Sequence, residues 1–330
     1  MATDITGLHH VGIVVNDMTS AIDTFRQLGF HIDPPAYPAL PPTPGGQPEP
    51  VGAGNTHADF PRGFIELLAF ASDRREELPA GTRLVPLQVP DDQLAGTKAA
   101  INHTVAGLAA RLARSEGAHI LIFASADAER TATRLSAAGV AHTGARAAQR
   151  PITTTEGTSL APIKYLEISD GDPAAPNSML PEGRIGAVED APPELLDAQV
   201  GLGHPNGAIA LSECVICSTD HDLDAIADRY ARYLDHTPTV DGRSRSFELG
   251  AHRLTITTAR DLAARLPGER PSTTPGLSAF TIDVADLSVT TRLLRTRGVE
   301  LRRAATGDPF IPASAAHGAA IMLRQASTTT

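Results

Sequence analysis

A fourfold repeat constrains what this chain can fold into more than any other feature. Four segments of the 330-residue sequence share one pattern: an apolar strand-like run, an Asp near the end of that run, a helix-like stretch and often a Gly. The segments are 9–30, 119–140, 213–234 and 278–299. Short strand-like runs follow each helix, so strands outnumber helices within each unit. We therefore predict an α+β fold of four βαβββ modules, and not one doubly wound sheet.

The predicted helices carry signals at both ends. An Asp can accept hydrogen bonds from the free amides of a first turn, and a Gly often follows a last turn. The residues at the N-terminal ends of these predicted helices are Asp17, Asp127 and Asp286. The residues that follow their C-terminal ends are Gly29, Gly139 and Gly298. In the first helix, apolar residues from Met18 to Leu28 recur at helical spacing.

Modules pair into two tandem domains in this prediction, with residues 1–185 and 207–330 as the domains and 186–206 as a linker. The runs 62–70, 163–169, 252–259 and 318–324 are expected to close the four modules. Three stretches break the repeat. Residues 33–63 are rich in Pro and Gly and predict a loop, 73–117 predict an inserted helix, and 170–206 predict the linker region with a short helix near 193–199.

Composition narrows the class of function. A net charge of −10 argues against a nucleic-acid surface, which must offset phosphate charge. No apolar run approaches the roughly 18 residues of a membrane span, and no basic region precedes the first apolar stretch. We expect a cytoplasmic protein whose partner is a small-molecule substrate, with no nucleic acid and no membrane. A monomer or a homodimer is compatible with the tandem repeat.

Two cysteines, Cys214 and Cys217, form a C-x-x-C pair that could be read as a redox motif or half a zinc site. They fall in a strand-like run, where residues three apart point to opposite faces. We expect two buried, reduced thiols.

The segments LHHVGIVVND, GFIELLAF and AHGAAIML, together with the repeat, resemble the vicinal oxygen chelate superfamily. That group contains glyoxalase I, methylmalonyl-CoA epimerase, extradiol dioxygenases and the fosfomycin and bleomycin resistance proteins. Within it, the chain is similar to glyoxalase-like proteins with two tandem domains. The resemblance covers nearly all of the sequence except the Pro-rich stretch, the inserted helix and the linker.

In that superfamily two modules close into a cup, and the first and last strands of each module supply metal ligands. The resemblance places these ligands at His10, Glu66, His119 and Glu167, around one divalent ion of unknown identity (Zn, Ni, Mn, Co, Mg or Fe). Imidazole and carboxylate suit such ions, and open positions would remain for two substrate oxygens.

The sequence around the two glutamates supports this site independently of the resemblance. Glu66 and Glu167 each stand between apolar strand residues, where a buried carboxylate needs a partner or an ion. The alternative is that each Glu is the solvent-facing member of an alternating strand. His9 is the rival of His10, and adjacent strand residues point to opposite faces, so only one is expected to enter the cup.

Other candidates are weaker. His57 could line the pocket, although it also fits an exposed loop histidine, and His103 in the inserted helix could cap the cup. In the second domain, the positions equivalent to the ligands fall near Glu213, Thr255, Ser278 and Met322. We expect that half to hold no metal.

The resemblance implies three alternative functions. The first is a metal-dependent lyase or isomerase on a small α-hydroxycarbonyl or dicarbonyl compound, with Glu167, or else Glu66, as the proton base. The second is an Fe(II) dioxygenase that uses His10, His119 and Glu167. The third is a non-catalytic drug-binding protein, which the absence of Trp weakens.

Overall fold

A computed structural model describes residues 3–72, 77–171 and 179–327, and these residues form the four predicted βαβββ modules. The helices of the described residues are α1 (Met18–Gln27), α2 (Leu94–Leu112), α3 (Ala128–Ala137), α4 (Pro193–Asp197), α5 (Leu223–Leu234), α6 (Ala259–Arg265) and α7 (Leu287–Thr296). No described helix is long and apolar enough to span a membrane.

The strands fall into four sets. Module one contains β1 (Ile5–Val14), β2 (Ala36–Leu40), β3 (Glu49–Pro50), β4 (Ala53–Asp59) and β5 (Phe64–Phe70), and β6 (Arg83–Pro86) follows it. Module two contains β7 (Gly117–Ser125), β8 (Arg146–Thr154), β9 (Gly157–Ile168) and β10 (Arg184–Glu189). Module three contains β11 (Ala208–Ser218), β12 (Thr239–Asp241), β13 (Ser244–Leu249) and β14 (His252–Thr258). Module four contains β15 (Gly276–Val284), β16 (Arg302–Arg303), β17 (Pro309–Ile311) and β18 (Ala320–Gln325).

Every module follows the same pairing rule. Its first and last strands pair in parallel: β1 with β5, β7 with β10, β11 with β14 and β15 with β18. Two modules then join through their first strands, which run antiparallel, β1 with β7 and β11 with β15. The result is one sheet for each half of the chain, so the predicted tandem architecture is confirmed.

The predicted helix signals are confirmed where the structure tests them. The side chains of Asp17, Asp127 and Asp286 accept hydrogen bonds from amides of the first turns of α1, α3 and α7. Gly29, Gly139 and Gly298 follow those helices with φ of 86°, 69° and 74°, a region that glycine enters without strain.

One apolar core lies between the two sheets and is shared by both halves. It contains Val11 and Leu121 from the first sheet and Cys214, Ile216 and Phe280 from the second. The opposite face of each sheet packs against a helix that connects two modules. Leu108 of α2 covers the first of these faces, and Leu262 of α6 covers the second.

The two thiols follow the prediction. Cys214 and Cys217 are free and fully buried on opposite faces of β11, in different apolar clusters. Burial raises the pKa of both thiols, so they act as small apolar side chains.

Three sequence predictions need correction. The Pro-rich stretch 33–63 contains β2 and β4, whose side chains alternate largely between half-buried and buried despite the prolines. Module two is closed by β10 and not by the run 163–169, which is the end of β9. The predicted domain boundary after residue 185 therefore cuts through β10, whereas the predicted short helix is α4.

In the second half, a buried ion pair occupies the helix-covered face. Arg265 of α6 donates to both oxygens of Glu213, at 2.8 and 2.5 Å, and Thr255 donates to the same carboxylate at 2.6 Å. Burial alone would raise the pKa of Glu213, but the bonds and charge of Arg265 hold it below its usual value. The pair therefore stabilises the fold above the ordinary carboxylate range and is lost as pH falls through the folded-state pKa.

Replacing Arg265 with Ala would leave Glu213 buried, at 4% exposure, without its counter-ion. We expect the free energy of unfolding to fall by about 3 kcal/mol in a urea titration at neutral pH. The control Arg243→Ala breaks an exposed ion pair with Asp220 and should cost less than about 1 kcal/mol. Equal losses in the two variants would contradict this account.

Candidate active site

The helix-covered face of the first sheet, here called the cup face, carries most of the predicted site residues. Strand register places His10 of β1 beside Phe64 on one side and Ile122 on the other. The next row places Glu66 beside Gly12 and His57. Paired residues of neighbouring strands share a face, so these side chains meet above the centre of the sheet.

A β-bulge at His9 changes the direction of its side chain. Leu8 pairs with Phe123 and His10 pairs with Ile122, so His9 is an extra residue in β1. The Nδ1 atoms of His9 and His10 consequently lie 2.8 Å apart. The prediction that only one of the two histidines could enter the cup is wrong, because it assumed a regular strand.

His9 links His10 to a carboxylate. Its Nε2 lies 3.0 Å from Oδ2 of Asp190, which follows β10 directly. Arg150 of β8 places Nε 3.0 Å from the other oxygen of Asp190. We call the series Asp190–His9–His10 the relay.

The hydrogen-bond network assigns the tautomers of the relay. Burial alone would raise the pKa of Asp190, but the hydrogen bond from His9 and the charge of Arg150 lower it, so the carboxylate is ionised and only accepts. His9 must then carry its proton on Nε2, and its Nδ1 accepts from Nδ1–H of His10. Nε2 of His10 is left with a lone pair.

His10 is the accessible end of the relay. It is half-buried, whereas His9 is only 5% exposed. Burial, followed by the positive charges of neighbours that include Arg150 and Arg184, lowers the pKa of His10 well below its usual value. The imidazole is therefore neutral near pH 7, which is the state of a proton acceptor.

Phe64 separates two imidazoles. Its ring stacks on His10 with centroids 4.3 Å apart and on His57 with centroids 4.1 Å apart. The guanidinium carbon of Arg150 lies 5.9 Å from the same ring. The predicted placement of His57 at the pocket fits this arrangement, but the phenyl ring prevents His57 and His10 from sharing one ion.

Two pockets flank the relay. Because the first sheet curls, Arg150 of the edge strand β8 reaches Phe64 of β5, although four strands lie between β8 and β5 in the sheet. A seam pocket of about 260 Å³ opens between β4, β8 and the chain at 199–204. His57 and Arg150 line it. A second pocket of about 520 Å³ reaches Asp190 from the other side.

The structure does not bring the four predicted ligands together. Glu66 is 8% exposed and accepts a hydrogen bond of 2.7 Å from Asn55. His119 is 1% exposed, and its Nε2 donates to the carbonyl of Ser115 beyond the end of α2, at 2.9 Å. Glu66 and one ring nitrogen of His119 are thus engaged by neighbours within the protein, while Nδ1 of His119 is buried without a hydrogen-bond partner in the described part of the chain.

Glu167 lies further from His10 than the prediction required. Two strands, β7 and β10, separate β9 from β1, so the Cα atoms would stand about 14 Å apart in a flat sheet. The carboxylate of Glu167 instead faces Arg184, 3.6 Å away. The last strand of module two is β10, and there Gly186 occupies the place that Glu66 has in β5.

Internal symmetry also revises which histidines correspond. His9 and His119 are both bulge residues, and each precedes the capping Asp of its module by eight residues. A Cβ on Gly63 would meet the carbonyl of His9, and a Cβ on Gly183 would meet that of His119. His119 is therefore the counterpart of His9 and not of His10.

The arrangement does not fit a preformed metal centre. Among the described residues, no three His, Cys, Asp or Glu side chains converge closely enough to hold an ion. The donor types suit a divalent metal, but their placement does not. His103 is exposed on α2, so its position does not support the predicted role as a cap over the cup.

Three residues of the site escaped the sequence analysis: His9 as an active member, Asp190 and Arg150. The equal spacing from His9 to Asp17 and from His119 to Asp127 was a usable signal for the first. The sequence contained no comparable signal for Asp190, because this residue follows β10, which the sequence analysis predicted mainly as linker.

Comparisons with known proteins agree with this fold. The family model of a glyoxalase-like domain matches residues 8–234. A hypothetical protein from Staphylococcus aureus superposes with a TM-score of 0.58 at 11% identity, over 97% of this chain and 99% of that one. A xylose isomerase-like TIM barrel/4-hydroxyphenylpyruvate dioxygenase fusion protein gives 0.51 at 13% identity, over 100% of this chain and 50% of that one.

Another solved structure, a Mn(II)-bound glyoxalase from Novosphingobium aromaticivorans, gives a TM-score of 0.49 at 10% identity, over 98% of this chain and 82% of that one. That score is too low to support an argument about metal. None of the curated proteins matches the chain by sequence.

The relay makes a spectroscopic prediction. In ¹⁵N-detected NMR spectra at pH 7, we expect His9 protonated on Nε2 and His10 protonated on Nδ1. In Asp190→Asn the amide can donate to His9, which should shift His9 toward the Nδ1–H tautomer and break the bond to His10. Unchanged tautomers in that variant would show that Asp190 does not orient the pair.

Proposed function

We propose that this chain, which belongs to the family of glyoxalase-like domains, is a lyase or isomerase in which His10 moves a proton on a small α-hydroxycarbonyl or dicarbonyl substrate. The relay is the observation that carries this proposal. A neutral, half-buried imidazole whose Nε2 makes no hydrogen bond to any residue that the structure describes, and which a second imidazole and a carboxylate hold in place, can act as a general base.

The relay supports proton abstraction in two ways. When Nε2 of His10 takes a proton, Nδ1–H remains held by His9, so the ring does not rotate away from the substrate. Asp190 fixes His9 in the tautomer that accepts this bond and offsets the new positive charge from a short distance. The same two roles belong to the carboxylate of Ser-His-Asp triads.

Charged groups around His10 suit an intermediate with enolate character. Arg184 lies one row from His10 on the cup face, and its charge contributes to the lowered pKa of the imidazole. A cation that opposes protonation of His10 also stabilises negative charge on a substrate oxygen nearby. The imidazolium of His10 holds the proton that it took and can return it from the same nitrogen to the neighbouring carbon, so no second acid is required.

We place the base at His10 and not at Glu167, which the resemblance favours. Glu167 is separated from His10 by two strands and is paired with Arg184. A metal ion, when bound in this superfamily, polarises substrate oxygens. Here the residues that would hold it are dispersed, so this mechanism assigns no step to a metal.

Exchange of carbon-bound protons tests the base. Wild-type protein in D₂O should accelerate deuterium uptake at the α-carbon of hydroxyacetone, followed by NMR. His10→Gln should reduce the rate by about 100-fold or more, and Asp190→Asn should reduce it because His10 loses its orientation. Arg243→Ala, on the far half, should match wild type. Full exchange by His10→Gln would overturn the proposal.

The pH dependence follows from the lowered pKa. A base is active when unprotonated, so the exchange rate should rise with pH through the pKa of His10 and level off above it. We expect the midpoint below 6.5, the ordinary histidine value. A midpoint above that value would show that His10 is stabilised in its charged form, contrary to the structure.

Chelation separates the proposal from its alternatives. We expect exchange to persist after EDTA treatment and gel filtration, without oxygen uptake. Activity that disappears with EDTA and returns with Zn, Ni, Mn, Co, Mg or Fe would restore the four-ligand prediction. Oxygen consumption with Fe(II) would indicate the dioxygenase, and binding without any exchange would indicate the drug-binding alternative.

A further inference from the structure

The 520 Å³ pocket beside Asp190, here called the apolar pocket, has walls of small aliphatic side chains. Its walls come from β7, β10, the β8–β9 hairpin and the segment leading into α4. Ala124, Ala148, Ile163, Val188 and Leu196 are typical of the lining, and the described lining contains no aromatic residue. Its volume lies in the range of small-molecule sites.

The polar side chains in this lining are already engaged. Thr6 donates to the carbonyl of Ala124, and Ser125 is bonded to Thr131. Glu189 accepts from the amide of Ala128.

The two remaining ionisable groups of the lining are also paired. Lys164 lies 3.7 Å from Glu129, and Asp190 is held by His9 and Arg150. A ligand in this pocket therefore meets walls that offer it mainly methyl and methylene groups.

The pocket adjoins the relay at its carboxylate end. Asp190 belongs to both. On the cup face, Ala124 follows Ile122 by two residues on β7, and Ile122 is the register partner of His10. Val188 pairs with Ala124 from the neighbouring strand. Ala124 in the pocket wall is thus one pleat of β7 away from Ile122, which pairs with His10.

We propose that the apolar pocket binds an unbranched aliphatic chain carried by the substrate, while the oxygen-bearing carbons lie at His10. This inference rests on the proposed function, because it assigns the part of the substrate that does not react. It predicts preference for long-chain α-hydroxycarbonyl compounds over hydroxyacetone, and it explains why a polar active site adjoins an apolar cavity.

The dependence of binding affinity on the chain length of the ligand tests whether the pocket binds an aliphatic chain. Binding of 1-hydroxy-2-alkanones with three to ten carbons would be followed by calorimetry with the full-length protein. Affinity should rise about fourfold for each added methylene until the pocket is filled. Affinity that is flat along the series would overturn the inference, as would tighter binding of a phenyl-substituted ketol than of the straight chain of equal carbon number.

Two matched substitutions on the β8–β9 hairpin locate the effect. Ala148→Phe fills the pocket and should abolish the gain with chain length while leaving the three-carbon compound unaffected. Leu160→Phe changes a side chain that is 64% exposed and outside the pocket lining, so its series should match wild type. An unchanged series in Ala148→Phe, or equal losses in both variants, would place the chain elsewhere.

The same series in His10→Gln separates this inference from the proposed function. If the base is correctly assigned but the pocket is not, exchange is lost and affinity does not follow chain length. If the pocket is correct but the base is not, the affinity series persists in wild type and His10→Gln alike, and both proteins exchange deuterium at the same rate.

Discussion

The antiparallel pairing of β1 with β7 is the contact on which the rest of the first half depends. It joins the two modules at the centre of their sheet, and each of its strands is hydrogen-bonded on both sides, to β5 and to β10. Both bulges that carry a buried histidine lie within it, at His9 and at His119. Curvature, strand order and the position of the relay follow from this pairing.

Most of the architecture could be predicted from the sequence, because its signals are local. Asp17 and Gly29 mark the ends of α1 within a few residues of the chain, and the apolar face of the helix repeats at a short period. The Asp and Gly signals recur in three of the four modules, so a weak signal in one module is reinforced by the others.

The site was harder to predict, because its geometry depends on distant pairings. A bulge at His9 exists only relative to β7, more than 100 residues later, and no local pattern marks it. Asp190 joins the relay because β10 pairs with β7, but the Gly and Ala residues of β10 made it look like linker. Candidate ligands were therefore recognised by type and assigned to the wrong neighbours.

The two halves show how one scaffold position can serve different purposes. Glu213 in β11 corresponds to His10 in β1, since both pair with the first strand of the following module just after a bulge. In the second half the carboxylate is neutralised by Arg265 from the connecting helix, and the position becomes part of the packing. In the first half α2 packs with Leu108 and brings no charged partner to His10, which leaves the imidazole half-buried.

The extra residue in β1 has a consequence for how such sites arise. In an uninterrupted strand, neighbouring side chains diverge, and two adjacent histidines could never touch. Gain or loss of a single codon would create or erase the contact between the rings of His9 and His10 while the rest of the strand kept its partners. Chemistry in this scaffold can therefore change through length polymorphism within a strand, with no alteration of the amino acids that line the cavity.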